Sequence, residues 1–65
     1  MGNVYLRAYR VALLVKYGRI TFAQGRRKLF KSMDKDYLED YPQDATRYAW
    51  YLLEEELDKL ENSYS

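Results

Sequence analysis

The sequence predicts an all-α protein, specifically a small three-helix bundle, and three observations lead to this class. Apolar residues recur at helical spacing in three segments of the chain. A glycine that suits a helix end stands just before a threonine that suits a helix start. The single proline lies where it can open the last helix. We therefore expect a helical hairpin over residues 4–17 and 22–32, a short turn over 34–40 and a long third helix over 42–61.

Residues 1–65 are expected to form one small helical domain, because a chain of 65 residues is near the lower limit for folding alone. Neither cysteine nor histidine occurs in the sequence. This excludes disulfides and thiolate metal sites, and it removes the commonest metal ligand and the usual acid or base at neutral pH. Stability must come from apolar packing, to which eight tyrosines and one tryptophan can contribute large areas.

The first predicted helix is apolar on nearly all sides. Arg7 and Arg10 are neighbours at a spacing of three residues and form a narrow polar edge. The remaining surface includes a broad apolar face at helical spacing, made of Val4, Tyr5, Ala8, Val11, Ala12 and Val15. We therefore expect this helix to be largely buried.

The connection between the first two helices carries the clearest local signal. Gly18 suits the left-handed conformation that ends many helices, and Thr21 followed by Gln24 matches a capping box. The Gly18-Arg-Ile-Thr joint resembles the hairpin of SHOCT-type short helical domains over about residues 13–30, although the acids that usually follow the threonine are missing. The resemblance implies a helical hairpin and carries no catalytic residues.

The second helix and the short turn contain three further signals. Gly25 lowers the helix propensity by about 1 kcal/mol and marks close approach to a neighbouring helix or to a ligand backbone. Asp34 or Ser32 is expected to cap the turn, and Pro42 is expected to end it and to open the third helix. The apolar side of the second helix consists of Phe22, Leu29, Phe30 and Met33.

The third helix has the most regular apolar pattern. Steps of three and four residues predict a seam of Trp50, Leu53, Leu57, Leu60 and Tyr64. Because Trp50 lies on this seam, we expect it in the core, whereas Tyr48 and Tyr51 are better candidates for exposure.

The residue types in this chain argue against an enzyme. Its serines lie in no nucleophile motif, and no glycine-rich phosphate loop occurs. Asp34 and Asp36 form an acidic pair that can bind a cation, but an EF-hand glycine is missing and helix capping is the favoured interpretation. We expect no enzymatic activity, no cofactor and no metal site.

The same sequence gives expectations about location. The longest apolar run, residues 11–15, falls far short of the roughly 20 residues that span a bilayer. No secretory signal is visible at the N-terminus. We therefore expect no membrane partner and a cytoplasmic location.

Charge is divided unevenly along the chain. Residues 1–35 carry nine basic residues and one acidic residue, and residues 36–65 carry two basic and nine acidic residues, although the net charge is only +1. Such asymmetry indicates a charged partner, or two segments that pair within the chain. The candidate basic face comprises Arg7, Arg10, Arg27, Lys28 and Lys31. The candidate acidic and aromatic face comprises Tyr48, Tyr51, Glu54, Glu55 and Asp58.

These observations favour a small non-enzymatic binding or regulatory protein that acts on another protein through a charged helical surface. The alternative is a nucleic-acid-binding module that uses the basic face of the second helix. A homodimer is a further alternative, since self-association would enlarge so small a core. Two possibilities stay open for the charged halves: they pair with each other, or they face separate partners.

Overall fold

The computed structural model describes residues 4–62, and the regular secondary structure in this range is entirely helical. The elements are α1 (Val4–Lys16), α2 (Phe22–Lys31), α3 (Lys35–Asp40) and α4 (Pro42–Asn62). α1 and α2 form a hairpin, α4 packs against both of them, and the short α3 packs against α4. The all-α prediction is confirmed.

The predicted bounds differ only slightly from the observed ones. The helices predicted over 4–17 and 22–32 each end one residue earlier, and the helix predicted over 42–61 ends one residue later. The segment predicted as a short turn over 34–40 forms the six-residue helix α3. Shifts of one or two residues are ordinary, because helix ends fray.

Local hydrogen bonds explain the joint between α1 and α2. Gly18 has a φ of +74°, and its N–H and that of Arg19 donate to the carbonyls of Val15 and Leu14 at 3.1 and 2.9 Å. These two hydrogen bonds form a Schellman motif, which satisfies the last carbonyls of α1. The capping box is also present: the Thr21 side chain accepts from the Gln24 N–H at 3.1 Å, and the Gln24 side chain accepts from the Thr21 N–H at 2.9 Å.

The start of α3 and the start of α4 follow the sequence signals. Asp34 is the N-cap of α3, where its carboxylate accepts from the Asp36 N–H at 3.4 Å. Pro42 is the first residue of α4, where a missing N–H costs nothing. The capping interpretation of the acidic pair and the role of the proline are thus confirmed.

Small residues let the helices approach each other closely. The buried core joins Ala8, Val11 and Ala12 of α1 to Leu29 of α2 and, on α4, to Ala49, Leu52 and Leu53. Gly25 of α2 is buried at this crossing, and a Cβ there would meet side-chain atoms of both α1 and α4. Of the two interpretations of Gly25, close approach to neighbouring helices is therefore the observed one.

The prediction that α1 is largely buried is wrong. Tyr5, Leu6, Tyr9 and Leu14 are all exposed, with Leu6 at 50% and Leu14 at 39% of their full accessibility. The physical reason is that α1 has only two packed neighbours, α2 and α4. Within residues 4–62, no third helix packs closely against its outer side.

The prediction that Trp50 is a core residue is also wrong, since 49% of its surface is accessible. The buried stripe of α4 runs through Ala45, Ala49, Leu52 and Leu53, one step around the helix from the predicted seam. The alanines suit the close crossing, and the large indole is displaced to the flank. Leu57 and Leu60 are only partly buried, and Tyr64 lies outside the described residues.

Candidate functional site

Side chains of α1 and α2 line an open groove of about 400 Å³, which we call the basic groove. Its apolar floor consists of Leu6, Val11 and Leu14 of α1. Its rim consists of four cations: Arg7 and Arg10 on the α1 side, and Lys28 and Lys31 on the α2 side. Each pair of cations is spaced by three residues, so both members project from the same side of their helix.

The basic groove continues beyond these residues in both directions. Lys28 and Lys31 also line a depression of about 360 Å³ that includes Val4 and Ser32. The same two lysines line a depression of about 320 Å³ that reaches Ile20 and Gln24, close to the joint. The trough between α1 and α2 therefore runs from the depression with Val4 and Ser32 through the basic groove, and the depression near the joint lies beside it on α2.

Four of the five residues of the candidate basic face come together in this groove. The fifth, Arg27, projects further outward on α2 and lines the depression near the joint. It also borders a smaller depression with Arg26 and Phe30 on the other side of α2. All five cations are exposed, but the structure does not bring them to one place, since Arg27 lies apart from the four that line the groove.

The groove cations have no carboxylate partner in the part of the chain that the structure describes. All four are exposed, and no salt bridge joins any of them to an acid within residues 4–62. The acid Glu56 of α4 instead pairs with Lys59 of its own helix at 3.5 Å. The two charged halves therefore do not neutralise each other at the groove.

The candidate acidic and aromatic face forms the outer face of α4. Its members are all exposed: Tyr48, Tyr51, Glu54, Glu55 and Asp58. The buried stripe of α4 faces the hairpin, so this outer face is turned away from α1 and α2, except for Tyr48 at its edge. Because the basic groove is lined by α1 and α2 only, the two charged surfaces lie on different sides of the molecule.

One residue of the outer face of α4 touches α1. The Tyr48 hydroxyl donates a hydrogen bond to the Tyr5 hydroxyl at 3.3 Å. This bond, with partial burial and nearby negative or ionisable groups, raises the pKa of Tyr48 above its usual value. The pair links the edges of α1 and α4 and stays accessible to solvent, since both residues are exposed.

Trp50 forms a second aromatic feature, at the edge where α4 meets α2. Its ring packs edge-on against Phe22 at a centroid distance of 5.4 Å, and the Arg26 guanidinium lies 5.7 Å from the ring centroid. An open depression of about 440 Å³ beside it is lined by α4 residues that include Arg47 and Tyr51. The sequence prediction missed this feature because it placed Trp50 in the core.

The apolar floor of the basic groove was also missed. The apolar face predicted for α1 did not include Leu6 or Leu14, and both lie outside its buried set of Ala8, Val11 and Ala12. The sequence does contain a signal for this exposed apolar surface, namely the excess of apolar residues in α1. A helix that is apolar on nearly every side but belongs to a small bundle has more apolar surface than its neighbours can cover.

The remaining chemistry of the described residues is limited. Within residues 4–62, no polar or charged residue is buried, and no group of three or more acidic residues is arranged to hold a metal ion. Across the same range, each helix is too short or too polar to cross a membrane. The exposed surfaces described above are therefore what this part of the chain offers to a partner.

The chain was also compared with known proteins. No protein-family model matches it, and neither the curated proteins nor the solved structures gave a match. The resemblance of the joint to SHOCT-type hairpins accordingly stays a local one, carried by Gly18, Ile20 and Thr21.

Proposed function

We propose that this protein is a small non-enzymatic binding protein that acts on another protein through the basic groove. The observation that carries the proposal is the combination of exposed leucines with four cations that have no acidic partner within residues 4–62. Leucines grouped in an open groove offer apolar surface that a partner can cover. The cations add selectivity and a faster approach of an acidic partner.

Energetics support the choice of this surface over an ordinary solvated face. Four like charges on two packed helices repel each other, and no acid in the described residues relieves the repulsion. A face that serves only solubility would more commonly mix charges of both signs. An arrangement that is unfavourable for folding alone fits a surface that is completed by a partner.

The outer face of α4 supports a second contact of the same kind. Tyrosine is enriched at protein interfaces, and Tyr51 is 63% exposed beside Glu54 and Glu55. This face would bind a basic surface, whereas the basic groove would bind an acidic one. The protein could therefore bring two chains together, and a homodimer or an assembly role is one form of this proposal.

Nucleic-acid binding is the second candidate, and the unpaired cations favour it. Arg27 and Lys28 extend the positive surface around the outside of α2, as the alternative required. Against it, the floor of the groove offers leucine side chains, which have no hydrogen-bond donors or acceptors for base edges. Phosphate binding would depend steeply on salt concentration, and this dependence separates the two candidates.

Affinity capture from the native host tests the proposal. The charge-reversed variant Arg10→Glu/Lys31→Glu should lose the captured protein, because it replaces one cation on each side of the groove. The matched control Lys35→Glu/Arg47→Glu changes the charge equally at exposed positions outside the groove and should retain it. Circular dichroism verifies that all variants stay folded.

The other outcomes decide between the alternatives. Loss of capture only in Glu54→Lys/Asp58→Lys would move the binding surface to the outer face of α4. Capture that disappears after nuclease treatment would favour the nucleic-acid candidate. Capture that is unchanged in every variant would overturn the proposal of a charged binding surface. The expected cytoplasmic location stays a prediction and can be checked by fractionation in the same host.

A further inference from the structure

We propose that the occupant of the basic groove is an acidic amphipathic helix of the partner protein. This inference rests on the proposed function and specifies the chemistry of the partner. It follows from three features of the groove: its length, the placement of its charges and the way in which α4 already uses the other side of the same hairpin.

The hairpin of α1 and α2 already binds one helix. α4 packs against both helices on one side and buries Ala45, Ala49, Leu52 and Leu53. The basic groove is the corresponding trough on the other side of the hairpin, again between α1 and α2. The floor is made of leucine and valine, which is a surface suited to a helix that presents large apolar side chains.

The length of the groove fits a short helix. Ten residues of α1 separate Val4, at one end of the trough, from Leu14 on the floor. At the rise of an α-helix this is about 15 Å, or roughly three turns. A helix of that length can place three or four apolar side chains on the floor at i, i+3, i+4 and i+7.

The charges specify the flanks of that helix. Arg7 and Arg10 lie on α1 among the apolar residues of the groove, and Lys28 and Lys31 lie on α2. A helix that lies along the groove therefore meets cations from both helices of the hairpin. Glutamate or aspartate on both sides of an apolar stripe would complement them, whereas lysine or arginine at those positions would be repelled.

A second copy of this chain is a poorer occupant, although the outer face of α4 is acidic and aromatic. The outer face of α4 and the basic groove lie on different sides of the molecule. Two copies joined head to tail through these surfaces would leave one groove and one acidic face open, so that the contact would build a ring or an open chain. A helix from a different protein fills the groove without this consequence.

Synthetic peptides test the inference on the intact protein. The probe is a peptide of about 14 residues with leucines at i, i+3 and i+7 and glutamates beside them. One control has the same composition with the leucines scattered around the helix, and a second has lysine in place of glutamate. Fluorescence anisotropy measures binding, and circular dichroism measures the helix that the peptide gains. Only the first peptide should bind and become helical.

Variants of the protein locate the peptide. Arg7→Glu/Lys28→Glu and Leu14→Ser should each weaken binding by about tenfold or more. Lys35→Glu/Arg47→Glu should change it by less than about twofold, because exposed charges outside the contact contribute little. Leu14 is 39% exposed, and circular dichroism verifies that Leu14→Ser stays folded. Equal binding of the scattered peptide, or no effect of the groove variants, would overturn the inference.

Two further titrations test whether other polyanions bind the groove. Random duplex DNA and vesicles of mixed anionic lipid are titrated at the same salt concentration. If either binds through the groove cations more tightly than the acidic peptide, the occupant is not a helix and the inference fails. If no probe binds but the groove variants still abolish capture from the host, only this inference fails. If capture is also unaffected, the proposed function fails with it.

Discussion

Gly25 of α2 lies so close to Val11 of α1 that a Cβ at position 25 would come within 2.9 Å of the valine Cγ1 atom. The same Cβ would lie 3.0 Å from Val15 and 3.2 Å from Leu53 of α4. All three helices of the bundle therefore meet at one residue without a side chain. This contact sets how deeply α4 enters the hairpin, and so how the opposite side of the hairpin is shaped.

Replacing Gly25 by alanine should destabilise the fold despite the better helix propensity of alanine. The propensity gain is about 1 kcal/mol, whereas overpacking a tight crossing costs about 1 to 3 kcal/mol. We expect a net loss of about 1 kcal/mol, measured by urea denaturation. Ala23→Gly, at an exposed position of the same helix, gives the propensity term alone. In a Val11→Ala background, Gly25→Ala should lower the free energy of unfolding by less than it does in the unmodified protein. An equal loss in both backgrounds would contradict the steric explanation.

The stripe of α4 gives a second prediction, which compares a buried residue with an exposed one. Leu53 is fully buried, and Leu53→Ala should cost about 3 kcal/mol, enough to abolish cooperative unfolding in so small a protein. Trp50→Ala should cost about 1 to 2 kcal/mol, since half of the ring is already in water. Denaturation must be followed by circular dichroism, because Trp50 is the only tryptophan. Equal losses of unfolding free energy in the two variants would indicate that Trp50 is as buried as Leu53.

The sequence predicts local features of this fold better than it predicts burial. The signals at Gly18, Thr21 and Gln24 are local, because the hydrogen bonds that they make lie within a few residues. They were therefore predicted correctly. Trp50 and Leu6 both belong to apolar stripes, but their burial depends on which sides of a helix have neighbours. That is decided by packing between distant segments, and helical periodicity alone does not determine it.

The same limit applies to the candidate site. The cations Arg7, Arg10, Lys28 and Lys31 could be identified individually, yet only the packing of α1 beside α2 brings the two pairs around one floor. Whether they pair with the acids of α4 also depended on the fold. The structure places α4 on the opposite side of the hairpin, and the cations stay unpaired within the described residues.

The capping box gives a third prediction, about the joint. Thr21→Ala removes the side chain that accepts from the Gln24 N–H and should cost about 1 kcal/mol. Thr21→Ser keeps the acceptor oxygen and should cost much less. Thermal unfolding by circular dichroism measures both variants. Equal melting temperatures for alanine and serine at position 21 would show that the capping hydrogen bond contributes nothing.

The tyrosine pair gives a prediction about pH. The hydrogen bond from Tyr48 to Tyr5 raises the pKa of Tyr48 above its usual value, so the folded state holds this proton more tightly than the unfolded state does. The stabilisation is therefore fully present below pH about 10 and is lost as the pH rises further. Tyr5→Phe should lower the pKa of Tyr48 toward its usual value, as followed by NMR of the Tyr48 ring. An unchanged titration in Tyr5→Phe would exclude the hydrogen bond as the cause.

The unpaired cations of the basic groove give a final prediction, which separates folding from binding. If the cations serve a partner and not the fold, replacing one of them by an acid should stabilise the free protein. Arg10→Glu lies in the middle of α1, away from the helix ends, and among three other cations. We expect a gain of about 0.3 to 0.5 kcal/mol that fades as salt screens the charges. Arg47→Glu, next to the acids of α4, should show no such gain. Urea denaturation at low and high salt measures both. A loss of stability in Arg10→Glu would mean that the groove cations support the fold and are not an unfavourable arrangement that a partner relieves.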